Sequence, residues 1–150
     1  MTPAELEAGV RRLIDEADVA KVILRYAKGI DSRDFDLVWS CFAPDAYCKG
    51  SSFEGPLDQY LPNLLKGVEG FGRTMHFMGN QLREVDGDAA HTETYAIAHH
   101  FADAKGEVEA LIMGVRYFDD LVRGVDGRWV IKRREAFADW RRYGEGMPHQ

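Results

Sequence analysis

The side chains in this sequence that could do chemistry near neutral pH are few enough to take one at a time. Five are histidines, the ordinary proton carriers in that range. His76 sits in Met75-His76-Phe77-Met78-Gly79-Asn80, and His99 in Tyr95-Ala96-Ile97-Ala98-His99-His100-Phe101, two runs that read as β-strand. Alternation places His76, Met78 and Asn80 on one face of the first run, and Tyr95, Ile97, His99 and Phe101 on one face of the second. A face of bulky apolar groups carrying one histidine reads as inward-facing, which sends His100 to the other side. His91, beside a turn, reads as surface, and His149 belongs to a polar tail. A lone strand histidine is most simply a core residue satisfied by a carbonyl, so a catalytic reading needs partners.

Partners are available. Asp31 follows Gly29 where a helix is ending, and Asp34 is the better cap for the next helix. That leaves Asp31 free to orient an imidazole and to stabilise its protonated form. Tyr26 lies on the buried stripe of the same helix, with Ile23 and Ile30. One of Arg133 and Arg134 must point inward in a regular strand, where a guanidinium can hold an oxyanion or a substrate carboxylate. His76, His99 and Asp31 also match the donor set of a facial metal triad.

Positioning these groups takes helices first and strands after. Leu6, Val10, Leu13 and Ile14, then Val19, Ile23, Tyr26 and Ile30, recur at helical spacing as one buried stripe, with a break capped by Asp15 or Asp18 and a stop near Gly29. A short helix begins at Asp34, shows Phe35, Val38, Trp39 and Phe42 on its apolar face and ends before Pro44. Residues 46–56 read as short strand and turn, and a helix with an awkward Pro62 follows. From Arg73 the pattern changes to four long strands, separated by turns at Asp86-Gly87-Asp88, Lys105-Gly106 and Asp126-Gly127. The expected fold is α+β over residues 1–150 as one domain, with N-terminal helices packed into a strongly curved, mostly antiparallel sheet that forms an open cone.

Composition narrows the function. The chain is 45% hydrophobic with 8 Phe, 6 Tyr and 3 Trp, which argues against disorder. Its net charge of −6 would be repelled by a phosphate backbone, so nucleic acid is not an expected partner. No apolar run approaches the ~20 residues that cross a bilayer, and the expectation is a soluble cytoplasmic protein with no membrane partner. In that compartment Cys41 and Cys48 are expected as free thiols.

The residues above, in their order, resemble a known group. The segments Tyr26-Ala27-Lys28-Gly29-Ile30-Asp31-Ser32-Arg33-Asp34, Phe42-Ala43-Pro44-Asp45-Ala46, Thr74-Met75-His76-Phe77-Met78-Gly79-Asn80, Asp86-Gly87-Asp88-Ala89 and Asp126-Gly127-Arg128-Trp129-Val130-Ile131, with Trp140 beyond, are similar to a SnoaL-like domain of the NTF2-like, cone-shaped α+β barrel superfamily. The similarity spans roughly residues 10–142 and is nearest to the branch of scytalone dehydratase, bile-acid 7α-dehydratase and hexachlorocyclohexane dehydrochlorinase. The resemblance implies a His76–Asp31 dyad with His76 as general base. It also implies that Tyr26 occupies a position held by tyrosine in the dehydratases, that His99 matches scytalone dehydratase's second histidine, and that Arg134 rather than Arg133 is the inward arginine.

On that resemblance the chain is expected to be a cofactor-independent lyase, dehydratase-like, acting on a small hydrophobic cyclic, polyketide or steroid-like molecule. No cofactor and no metal are expected. The predicted lining of the cone is Trp39, Tyr47, Phe53, Met78, Asn80, Tyr95, Ile97, Phe101, Met113 and Tyr117. A double-bond isomerase using the same site is the alternative. So is a non-catalytic binding or assembly domain like the small subunit of ring-hydroxylating dioxygenases. A homo-oligomer is expected through the outer sheet face, a trimer before a dimer.

Overall fold

A computed structural model describes residues 1–147, so His149 lies outside the described residues. The chain opens with α1 (Pro3–Ser32), started by a capping box. The Thr2 hydroxyl accepts from the Glu5 amide, and the Glu5 carboxylate accepts from the Thr2 amide. The expected buried stripe begins only at Val19, since Leu6, Val10, Leu13 and Ile14 are exposed on the part of α1 that does not pack into the core, and the expected break at Asp15 or Asp18 does not occur. Asp15 instead pairs with Arg123 at 2.9 Å and Asp18 with Lys21 at 3.1 Å, so neither acid caps a helix end. Gly29 does not stop the helix either. It is buried under α2 (Phe35–Ser40), where an added Cβ would meet Val38 Cγ2 at 2.7 Å. The helix ends on Arg33, which takes the left-handed conformation at φ 60°.

Asp34 caps α2 as expected, accepting from the Leu37 amide at 3.1 Å. That helix is shorter than its apolar spacing suggested. The chain is already extended at Phe42, in β1 (Phe42–Lys49), and Pro44 falls in an irregular stretch of that strand. β2 (Glu54–Pro56) folds back on β1, and α3 (Leu57–Glu69) follows with Pro62 on an exposed position.

The four long strands are β3 (Arg73–Asp86), β4 (Ala89–Phe101), β5 (Glu109–Arg123) and β6 (Trp129–Tyr143). Gly87, Gly106 and Gly127 all have positive φ in the turns between them, a conformation that L side chains resist. The sheet order is β2-β1-β6-β5-β4-β3, antiparallel throughout except for the parallel β1–β6 pair. It curves without closing. Val19, Val22, Ile23 and Ile30 of α1 and Leu57, Leu61 and Leu65 of α3 fill its concave side against Leu121 and Ile131. Cys41 and Cys48 are buried free thiols within this core, and burial raises the Cys48 thiol to about 11. Among the described residues, no helix is long and apolar enough to cross a membrane.

Candidate active site

The first turn of β3 lies against the end of α1, and there Asp31 meets His76. The His76 ring Nδ1–H donates to Asp31 Oδ1 at 2.8 Å, and the His76 backbone amide donates to Oδ2 at 2.7 Å. Thr74 Oγ1 donates to Oδ1 at 3.0 Å. Burial pulls the Asp31 carboxyl upward, but the donors from His76 and Thr74 outweigh it and hold the group below the usual carboxylate range. An ionised Asp31 fixes the His76 tautomer, because a carboxylate only accepts. In the neutral ring the nitrogen left without a proton is then Nε2.

His76 lines a cavity of about 370 Å³ between α1, α3 and the concave sheet. Tyr26, Tyr117, Tyr60, Phe53, Phe71, Leu111, Met113 and Ala98 form much of its wall, with Ser51, Ser52 and Asn63 at the exposed rim. His100 is there too, its ring 6.0 Å from that of His76. Its Nδ1 donates to the Leu111 carbonyl at 3.3 Å, so its Nε2 is also bare. Burial, then the neighbouring His76, lowers the His100 pKa to about 4, and the ring is neutral at pH 7.

The predicted sidedness of β4 is therefore reversed. His99 points outward, 3.4 Å from Glu109 and stacked on Phe101, while Tyr95 and Ile97 are exposed on the convex face. The reason is room. The concave face packs against helices and carries the small alternates Ala90, Thr92, Thr94, Ala96 and Ala98, and the bulky residues go to the convex side. His99 thus cannot join His76 and Asp31, and among the described residues no group of three or more His, Cys, Asp or Glu is placed to hold a metal ion.

Other predicted lining residues divide the same way. Phe53, Met113 and Tyr117 face the cavity, whereas Met78 packs into the core beside it. Asn80 is turned to the convex side because β3 carries an extra residue between Met78 and Gln81, which breaks the alternation. Phe101 faces an outer groove, and Trp39 is partly exposed on α2. Tyr47 is also outside, its hydroxyl donating to Glu54 and its ring under Arg133.

Arg134 does point inward, but it is not part of the cavity wall. At 1% exposure it holds Asp119 with two bonds of 2.7 and 2.9 Å, and its guanidinium lies 4.1 Å from the Tyr26 ring and 4.5 Å from the Tyr117 ring. It is a buried prop behind the two tyrosines. Their phenols are raised by burial foremost, against the lowering effect of Arg134, and stay protonated as donors.

Two site residues were not singled out from the sequence. The Arg33 guanidinium donates to the Ile30, Val68 and Phe71 carbonyls and, at 2.9 Å, to Thr74 Oγ1. Since arginine only donates, the Thr74 hydroxyl must accept from it and spend its own proton on Asp31. The Asp-x-Arg-Asp spacing was visible; the reach of Arg33 to β3 was not.

The family model for the SnoaL-like domain matches residues 11–135. An uncharacterised protein of Mycobacterium tuberculosis is 32% identical over 131 residues, covering 85% of this chain and 88% of its own length. Among solved structures, a putative scytalone dehydratase of Novosphingobium aromaticivorans superposes with a TM-score of 0.75 at 22% identity, covering 93% of this chain and 97% of its own. A hexachlorocyclohexane dehydrochlorinase of Novosphingobium barchaimii does so at 0.76 and 16%, covering 95% and 98%. Both share the NTF2-like cone with this chain.

Proposed function

The chain belongs to the SnoaL-like domain family, and from that premise we propose that it is a cofactor-independent lyase that removes water from an uncharged ring compound. The observation that carries this reading is the Asp31–His76 pair at the wall of a mostly apolar cavity, with the carboxylate engaging Nδ1 and leaving Nε2 for a substrate. In such a site His76 Nε2 takes a proton from the carbon beside a carbonyl. The C–H electrons form an enolate, and the Tyr26 or Tyr117 phenol donates to its oxygen. The enolate then expels a hydroxyl from the next carbon, and protonated His76 returns the proton to it. Water leaves and the enzyme regains its starting charge.

His100 has a different part in this scheme. With its pKa near 4 it carries no proton to give at neutral pH, so it accepts a hydrogen bond from the substrate hydroxyl and orients it toward His76. Among the described residues no Asp, Glu, Lys or Arg lines the cavity, which suits a neutral ligand. Its volume equals that of about a dozen waters, room for two or three fused rings.

The test is turnover of bicyclic β-hydroxy ketones followed by mass spectrometry. Replacing His76 by Gln should lower the rate by at least ~10²-fold with the circular dichroism unchanged, and retained turnover would sink the proposal. Because one imidazole both takes and returns the proton, delivery to carbon instead of oxygen would make the protein a double-bond isomerase. Product with no loss of mass would point there. The chain is also read as a homo-oligomer, a trimer before a dimer. Support comes from Phe77, Tyr95, Ile97, Phe137 and Trp140, all exposed on the convex face.

A further inference from the structure

The helix α1 is apolar on two sides. Val19, Val22, Ile23, Tyr26 and Ile30 fill the core, and about 145° around the helix run Leu6, Val10, Leu13, Ala17, Ala20 and Leu24. This second set alternates steps of four and three residues, the spacing of a coiled-coil seam. Its four large members are 47–62% exposed, and the side chains at 10–14 are all exposed as well. The seam covers about 27 Å of helix.

We propose that α1 pairs with α1 of a second copy of this chain, in antiparallel orientation, along this seam. Antiparallel pairing sets each seam residue opposite one whose number sums with it to about 30: Leu6 against Leu24, Val10 against Ala20, and Leu13 against Ala17. The last two layers match a large side chain with a small one, as interdigitation requires. The flanking charges match as well. Glu7 of each copy comes beside Lys21 of the other, and Ile14 meets its symmetry mate across the two-fold axis. Among the described residues of one chain Glu7 pairs with Arg11 at 3.6 Å and Lys21 with Asp18 at 3.1 Å, both exposed pairs of little strength that leave each group available. Parallel pairing would put Lys21 beside Glu16 instead and give Glu7 no partner.

The seam is distinct from the convex face, so it doubles whatever stoichiometry that face produces. Light scattering of the full chain tests it through four variants: Leu13→Glu, Glu7→Lys, Lys21→Glu and the double charge exchange. These positions are exposed, and circular dichroism should show an unchanged fold. Leu13→Glu should halve the particle mass, each single charge variant should shift the population toward the half-mass species, and the exchange of both charges should restore it. A mass unaffected by Leu13→Glu, or a double exchange that fails to restore what the singles lose, overturns the pairing.

Discussion

The proton at the Asp31–His76 pair is governed by a residue two positions before the histidine. Thr74 stands between Arg33 and Asp31 and gives the carboxylate one of its three donors. Thr74→Val should therefore move the Asp31 titration upward, measured by the carboxyl ¹³C shift, and Thr74→Ser should leave it in place. The valine also strips the Arg33 Nη1 of an acceptor, a cost of about 1–2 kcal/mol in denaturant unfolding. His100 makes a second prediction. Its folded pKa of about 4 lies below the unfolded value of 6.5, so the unfolded chain binds more protons between these limits. Stability conferred above pH 6.5 should thus fall as pH drops toward 4, and His100→Phe should reduce the loss by up to about 3 kcal/mol in thermal melts at the two pH values. The dyad was legible through the family resemblance, whereas the residues alone offered Asp31 as a partner for a histidine without choosing which one. The second histidine was not legible. His99 and His100 differ only by which face of β4 is concave, and bulk is a poor guide to that when helices crowd the inner side.

The elements show how a correct spacing can still give a wrong boundary. Asp15, Asp18 and Gly29 are ordinary helix punctuation in a sequence. In the folded chain the two acids have basic partners, and the glycine is a point of close approach. Gly29→Ala should consequently cost about 1–3 kcal/mol in chemical denaturation, despite alanine's better helix propensity, because its methyl collides with Val38 and the Asp34 carbonyl. A helix that truly ended at Gly29 would tolerate the change or gain from it. The strands were easier. Their turns are marked by glycines that do take positive φ, and their lengths follow from the runs between those turns.

For the molecule as a whole, aromatic content promised a larger core than the fold provides. Tyr26, Phe53, Tyr60, Phe71 and Tyr117 border the cavity, and Phe77, Tyr95, Phe137 and Trp140 cover the convex face. The cone was readable from the order of helices and strands, and its curvature from the strand lengths. Which aromatic groups wall the cavity and which stand exposed on the convex face depends on the sidedness of each strand, and the extra residue in β3 alone is enough to reverse one.

The open sheet ends at β3, and the backbone amide of His76 points off that edge into the carboxylate of Asp31. Asp31 therefore completes the hydrogen bonding of a border strand as well as steering an imidazole. A strand from another molecule cannot pair with His76 at this edge without displacing that carboxylate, so Asp31 closes part of the border to strand addition.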